Sequence, residues 1–205
     1  VSELTLVWPT AEHLPSYIAA LRRGWSSDNM RPDAAKDELA RIAEDPQLFI
    51  ARQVNRNAEG PPIVHPDGTT TPRLPGYRRW MWDGEFCGSI GFRWQPGTTD
   101  LPPLCLGHIG YGVVPWKRGC GYATRALGLF LKDVEKEGLP FVELTTNAMN
   151  EASRRVIEKN GGIFVERFRG PELYGSHEEL RFRISLPRPT AATSSPPERA
   201  PSSAP

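Results

Sequence analysis

Leu4, Leu6 and Trp8 alternate with Thr5 and Val7 before Pro9, which predicts a short opening strand. Helical spacing follows over about residues 12–23 and 33–44, the second stretch opened by Pro32 and closed by Asp45-Pro46. Two aromatic-rich runs, Tyr77 to Trp82 and Glu85 to Trp94, are joined by Asp83-Gly84, a pair suited to a tight hairpin turn. Leu106 to Val114 reads as a further strand. From Gly121 to Glu137, apolar side chains at Ala123, Ala126, Leu127, Phe130, Leu131 and Val134 form one stripe of a helix. Phe141 to Thr145 predicts a strand, Glu151 to Lys159 a helix, and Gly162 to Phe168 and Glu178 to Leu186 two closing strands. The order β, α, α, β, β, β, α, β, α, β, β implies an α/β (α+β) fold: a mixed sheet of about seven strands flanked by about four helices.

Two stretches interrupt this pattern. Residues 57–76 carry five prolines between Pro61 and Pro75 and three glycines, too many for a helix or a central strand, so a loop insertion is expected there. Residues 187–205 carry six prolines and ten Ser, Thr or Ala residues with no large apolar group to anchor them, the composition of a disordered tail. A chain of 205 residues with 39% apolar side chains is long enough for one ordinary core and short for two, so residues 1–186 read as a single domain. The 25 basic and 24 acidic residues balance to +1, which excludes a global field that would hold nucleic acid or an anionic membrane. No apolar run approaches the roughly 18–20 residues of a membrane span, and no basic patch followed by an apolar stretch marks a secretory signal. Cys87, Cys105 and Cys120 show no CxxC spacing and leave one thiol unpaired in any scheme. Neither a disulfide framework nor a metal site is signalled, and a reducing cytoplasm fits best.

The most informative segment runs from His108 to Thr124, a strand that passes through a Gly-rich turn directly into an amphipathic helix. Such a turn points unpaired backbone N–H groups outward, and with the positive end of the helix dipole they make an anion site suited to a pyrophosphate. Gly119 and Gly121 remove the Cβ atoms that would hold a phosphate off the backbone, and Arg118 adds a positive charge at the rim. No Gly-Lys-Ser/Thr follows, so this is not a P-loop, and Thr124 takes the place of the third glycine of the dinucleotide fingerprint. Arg118-Gly119-Cys120-Gly121-Tyr122-Ala123 instead resembles the R/Q-x-x-G-x-G/A signature of the GNAT superfamily of acyl-CoA-dependent N-acyltransferases. Upstream, Gly110-Tyr111-Gly112-Val113-Val114-Pro115 is similar to that family's central strand and the proline that leaves it. Downstream, the segment from Asn147 to Gly162 resembles the family's N-x-x-S/A helix ending in E-K-x-G-F.

The resemblance implies that two central strands splay apart, here Leu106 to Val114 and Phe141 to Thr145, and that the pantetheine of acetyl-CoA enters the gap. It implies backbone contacts to pantetheine from Val113 and Val114, and a pyrophosphate held by Arg118, Gly119, Cys120, Gly121, Tyr122, Ala123 and Thr124. Asn150 would hydrogen-bond the pantetheine arm, with Ser153 in the same helical turn. Both residue types also suit a helix N-cap, and the two roles compete evenly. Cys120 has no histidine near it in sequence and reads as a small turn residue rather than a nucleophile.

Direct transfer needs a neutral amine, donors for the developing oxyanion and a proton for the departing thiolate. His108 is the leading base because strand alternation sets it on the face of Gly110 and Gly112; a polar residue at a strand start is its plainer role. Glu143 and Thr145 share a face of the partner strand, where Glu143 equally suits a surface salt bridge. Many GNAT enzymes carry a tyrosine two residues before the lysine of the second helix, and this chain has Ile157 there, so either Tyr174 or water supplies the proton or the thiolate leaves unassisted. Gly162 stands where phenylalanine is usual. Trp80, Trp82, Phe92 and Trp94 either line an acceptor pocket or form plain core, and Asp83 and Glu85 offer attraction for a cationic amine. The resulting expectation is an N-acetyltransferase that passes acetyl from acetyl-CoA to a primary amine, small-molecule or peptide, in a ternary complex, with homodimerisation left open. The alternatives are a catalytically silent acyl-CoA-binding module and a protein N-terminal acetyltransferase. The latter follows from the Asn-x-x-Ser helix without tyrosine, which is similar to that of ribosomal-protein N-terminal acetyltransferases.

Overall fold

The computed structural model describes residues 3–28, 33–65 and 67–187, with the backbone alone for Tyr174. The chain opens with β1 (Thr5–Val7), followed by α1 (Leu14–Arg22), α2 (Ala34–Glu44) and α3 (Pro46–Ala51). Two short strands, β2 (Val54–Asn55) and β3 (Ile63–Val64), lead through β4 (Thr70–Thr71) to the long hairpin of β5 (Gly76–Trp82) and β6 (Phe86–Arg93). Then come β7 (Ile109–Val113), α4 (Tyr122–Val134), β8 (Phe141–Asn147), α5 (Glu151–Lys159), β9 (Ile163–Arg169) and β10 (Glu178–Ser185).

The strands fall into two main sheets rather than one continuous layer. The first has the order β1-β5-β6-β7, with β2 also pairing β5, and the second the order β8-β10-β9. All their ladders are antiparallel among the described residues. One face of the first sheet carries Tyr77, Met81, Ile90 and Phe92 and shares a core with the α4 stripe and with Val142, Leu144 and Phe182 of the second sheet. Its other face, centred on Trp80, packs on α1 to α3 through Tyr17, Trp25 and Phe49. Tyr17 stacks on Trp80 with centroids 4.4 Å apart, so the hairpin aromatics hold the helical layer in place. Trp80 and Phe92 are core residues, 0% and 2% exposed, not an acceptor lining.

Four short elements, α3, β2, β3 and β4, were not expected from the sequence. Asp45-Pro46 starts α3 as well as ending α2: Asp45 Oδ1 accepts from Leu48 N at 2.9 Å and Pro46 occupies the first turn, where its missing N–H costs nothing. Within residues 57–76, β3 and β4 form a small hairpin of their own. Pro61, Pro62, Pro72 and Pro75 flank this ladder, and two-residue strands are too short to show a period. The expected tail lies outside the described residues beyond Pro187.

Candidate active site

Among the described residues, hydrogen bonds join the two sheets at one place. His108, just before β7, donates its backbone N–H to the Glu143 carbonyl at 2.7 Å, and Glu143 N–H donates back to His108 Nδ1 at 3.0 Å. Beyond this junction β7 and β8 share no ladder and belong to different sheets. Tyr111, in the middle of β7, reaches across to the first turn of α5: its hydroxyl lies 2.9 Å from Ser153 Oγ and donates to the Ser153 carbonyl at 3.3 Å. Burial pushes the Tyr111 phenol up to about 12.

At the far end of β7 the chain makes a 3-10 turn over Pro115–Lys117 and then enters the Gly-rich segment. Gly119 and Gly121 both adopt left-handed φ, +79° and +75°, and a Cβ built at either would meet nothing within 4 Å, so the space above them is open. No side chain caps α4 at Gly121, which leaves the N–H groups of its first turn aimed into that space. Arg118, Cys120 and Gly121 are exposed, and Ala123 and Thr124 half-buried. These residues fit a bound polyphosphate. The Tyr122 side chain points inward, where its hydroxyl donates to Asp83 Oδ2 at 2.6 Å, so only its backbone faces the cradle. Arg118 Nε donates to the Val113 carbonyl at 3.3 Å, and Val114 N–H is spent on the Cys87 carbonyl at 2.9 Å.

The expected chemistry residues are not gathered at one point. His108 is 1% exposed; its Nδ1 lone pair is occupied by Glu143 N–H, and its Nε2 has no hydrogen-bond partner. Burial pulls its pKa down, with the Glu143 charge and the nearby Thr99 carbonyl opposing too weakly to restore it. A base role would require the junction bond to open. Glu143 is clamped by Arg181 at 2.8 Å and Arg183 at 2.7 Å. Burial works against its charge, yet the two guanidinium hydrogen bonds outweigh it and hold the carboxyl below the usual range. Asn150 Oδ1 caps α5 by accepting from Ser153 N at 3.0 Å, the plainer of its two expected roles. The Tyr174 side chain lies outside the described residues. Asp83 and Glu85 are not free to attract an amine, since both hold Lys117 at 2.8 Å. The Tyr111 to Ser153 contact was missed because its partners lie 42 residues apart and no local pattern joins them.

A glycine turn opening an uncapped helix beside a split pair of strands is joined by a sequence match to the acetyltransferase (GNAT) domain over residues 3–163. The chain belongs to the GNAT acetyltransferase family. Solved structures resemble this GNAT protein over nearly their whole length. One is RimL, a ribosomal L7/L12 alpha-N-protein acetyltransferase in complex with coenzyme A, at 13% identity over 91% of this chain and 96% of that one, TM-score 0.59. Another is the microcin C7 self-immunity acetyltransferase MccE in complex with acetyl-CoA and AMP, at 11% identity over 91% and 94%, TM-score 0.57. A third, from Salmonella typhimurium, modifies the N-terminal serine of 50S ribosomal subunit protein L7/L12, at 12% identity over 91% and 97%, TM-score 0.55. At such identities the likeness is one of fold. Comparison with curated proteins finds no match. Among the described residues no cluster of His, Cys, Asp and Glu is arranged to hold a metal, and no helix is long and apolar enough to cross a membrane.

Proposed function

We infer that this GNAT enzyme transfers acetyl from acetyl-CoA to an α-amino group, of a peptide or a small amine, by direct attack. The observation that carries this reading is the parting of β7 and β8 into separate sheets beside the uncapped, glycine-led start of α4. The pyrophosphate would rest on the N–H groups of residues 119–124 and the pantetheine would lie between β7 and β8. The amine nitrogen bonds to the acetyl carbon as the carbon–sulfur bond breaks, the thiolate leaves, and the nitrogen loses a proton. The state of His108 and Glu143 favours an α-amine: the Nδ1 lone pair of His108 is occupied by Glu143 N–H, and two guanidinium groups hold Glu143 ionised and make it a weak base. An α-amine, with a pKa near 8, is already partly neutral at physiological pH, whereas an alkylamine near 10.4 needs a strong base. RimL and the Salmonella typhimurium enzyme, which act on protein N-termini, agree with this choice. We also place catalysis in one domain, residues 1–186, in the cytoplasm, where Cys87, Cys105 and Cys120 stay as free thiols.

The test is CoA release from acetyl-CoA with peptides whose N-terminus is free or blocked, alongside simple alkylamines. Free N-termini should support turnover, with kcat/KM rising through the acceptor's own pKa near 8. Acetyl-CoA binding without acceptor-dependent CoA release across that panel would instead identify a silent acyl-CoA-binding module.

A further inference from the structure

Both ends of the Gly-rich turn are tied to one carboxylate. Asp83, at the tip of the β5–β6 hairpin, accepts at the same Oδ2 from Lys117 Nζ at 2.8 Å and from the Tyr122 hydroxyl at 2.6 Å. Lys117 is the residue immediately before the turn and Tyr122 the first residue of the helix after it. The Asp83 side chain is 7% exposed, and Lys117 is held a second time by Glu85 at 2.8 Å. Burial disfavours the Asp83 charge, but the hydrogen bonds from Lys117 and Tyr122 prevail and hold its carboxyl at about 2, so it is ionised at any working pH. The hairpin tip is itself anchored, because Phe86 N–H donates to Ser16 Oγ at 2.8 Å on α1.

We propose that Asp83 is a positioning residue for the anion cradle: its carboxylate staples the two flanks of the turn, and so fixes the direction of the backbone N–H groups between them. The proposal rests on the reading of that turn as the CoA pyrophosphate site. It runs opposite to simple electrostatics. Asp83 is a negative charge beside an anion site, and Coulomb's law alone has its removal tighten CoA binding. A staple predicts the reverse, since loosened donors no longer converge on the phosphates.

Calorimetric titration of the full chain with CoA decides between the two signs. Asp83→Asn, which keeps shape and removes charge, should weaken CoA about tenfold, the worth of one charge-assisted hydrogen bond. Its kcat/KM with acetyl-pantetheine, a donor without the pyrophosphate, should stay within about twofold of wild type. Unchanged or tighter CoA binding, or an equal loss with both donors, overturns the proposal. Tyr122→Phe breaks one arm of the staple without altering charge and keeps the test open if Asp83→Asn does not fold. It too should weaken CoA, and wild-type affinity in that variant overturns the staple. Wild-type protein that binds no CoA would instead sink the pyrophosphate reading itself, a result distinct from any of these.

Discussion

Ile157 and Gly162 are the two places where the chain departs from its family's second motif, and in the fold they touch. A Cβ on Gly162 would collide with the Ile157 side chain and sit 2.9 Å from its carbonyl oxygen. The side chain at 157 and the absence of one at 162 are therefore sterically linked, with Ile157 1% exposed in the core. Gly162→Ala should cost about 1–3 kcal/mol of stability, measured by urea denaturation, because this contact has no room to relax. A loss within error of zero would mean that the C-terminal end of α5 can shift freely. His108 carries a second prediction at this scale. Its depressed pKa means that the unfolded chain, titrating near 6.5, takes up the proton first as pH falls. The stability owed to the neutral ring is complete above about pH 6.5 and is lost as the pH drops through that value toward the folded one. His108→Asn, which keeps an acceptor for Glu143 N–H, should lose less stability than wild type between about pH 7 and pH 5. Parallel pH profiles would show that the imidazole titrates in the fold as it does in the unfolded chain.

The elements were legible where one residue type dictates one conformation. The α4 stripe, the Asp83-Gly84 hairpin and the span of α5 all follow from spacing and turn chemistry, and the structure has them within a few residues. The Gly-rich turn was legible for the same reason, since only glycine takes the φ that Gly119 and Gly121 adopt so readily. What stayed hidden was every contact between elements distant in sequence. Asp83 lies 34 and 39 residues from its partners Lys117 and Tyr122, so its carboxylate read as a free surface charge. His108 read as a base because alternation ignores the single bond that turns its ring toward Glu143. At this scale the Tyr111 hydroxyl should matter as a strut between β7 and α5. Tyr111→Phe is expected to cost about 0.5–1.5 kcal/mol and to speed amide exchange in the first turn of α5 more than in α4. Equal exchange in both helices would remove the strut.

For the molecule as a whole, the near-neutral charge of +1 leaves recognition to local devices, and the cradle is the one that ligand binding should report. CoA at about 100 times its Kd should stabilise the fold by about 2.7 kcal/mol, or raise Tm by roughly 5–10 °C for a chain of this size. Adenosine without phosphates should produce no comparable shift. The location of the His108–Glu143 hydrogen-bond pair between the two sheets has a mechanical consequence. β7 extends five residues from it, about 16 Å, so a rotation of only about 4° about the junction moves the far end, which leads into the cradle, by about 1 Å. The distance of the cradle from β8 would then be set by an angle between two leaves, and His108 would sit at the pin.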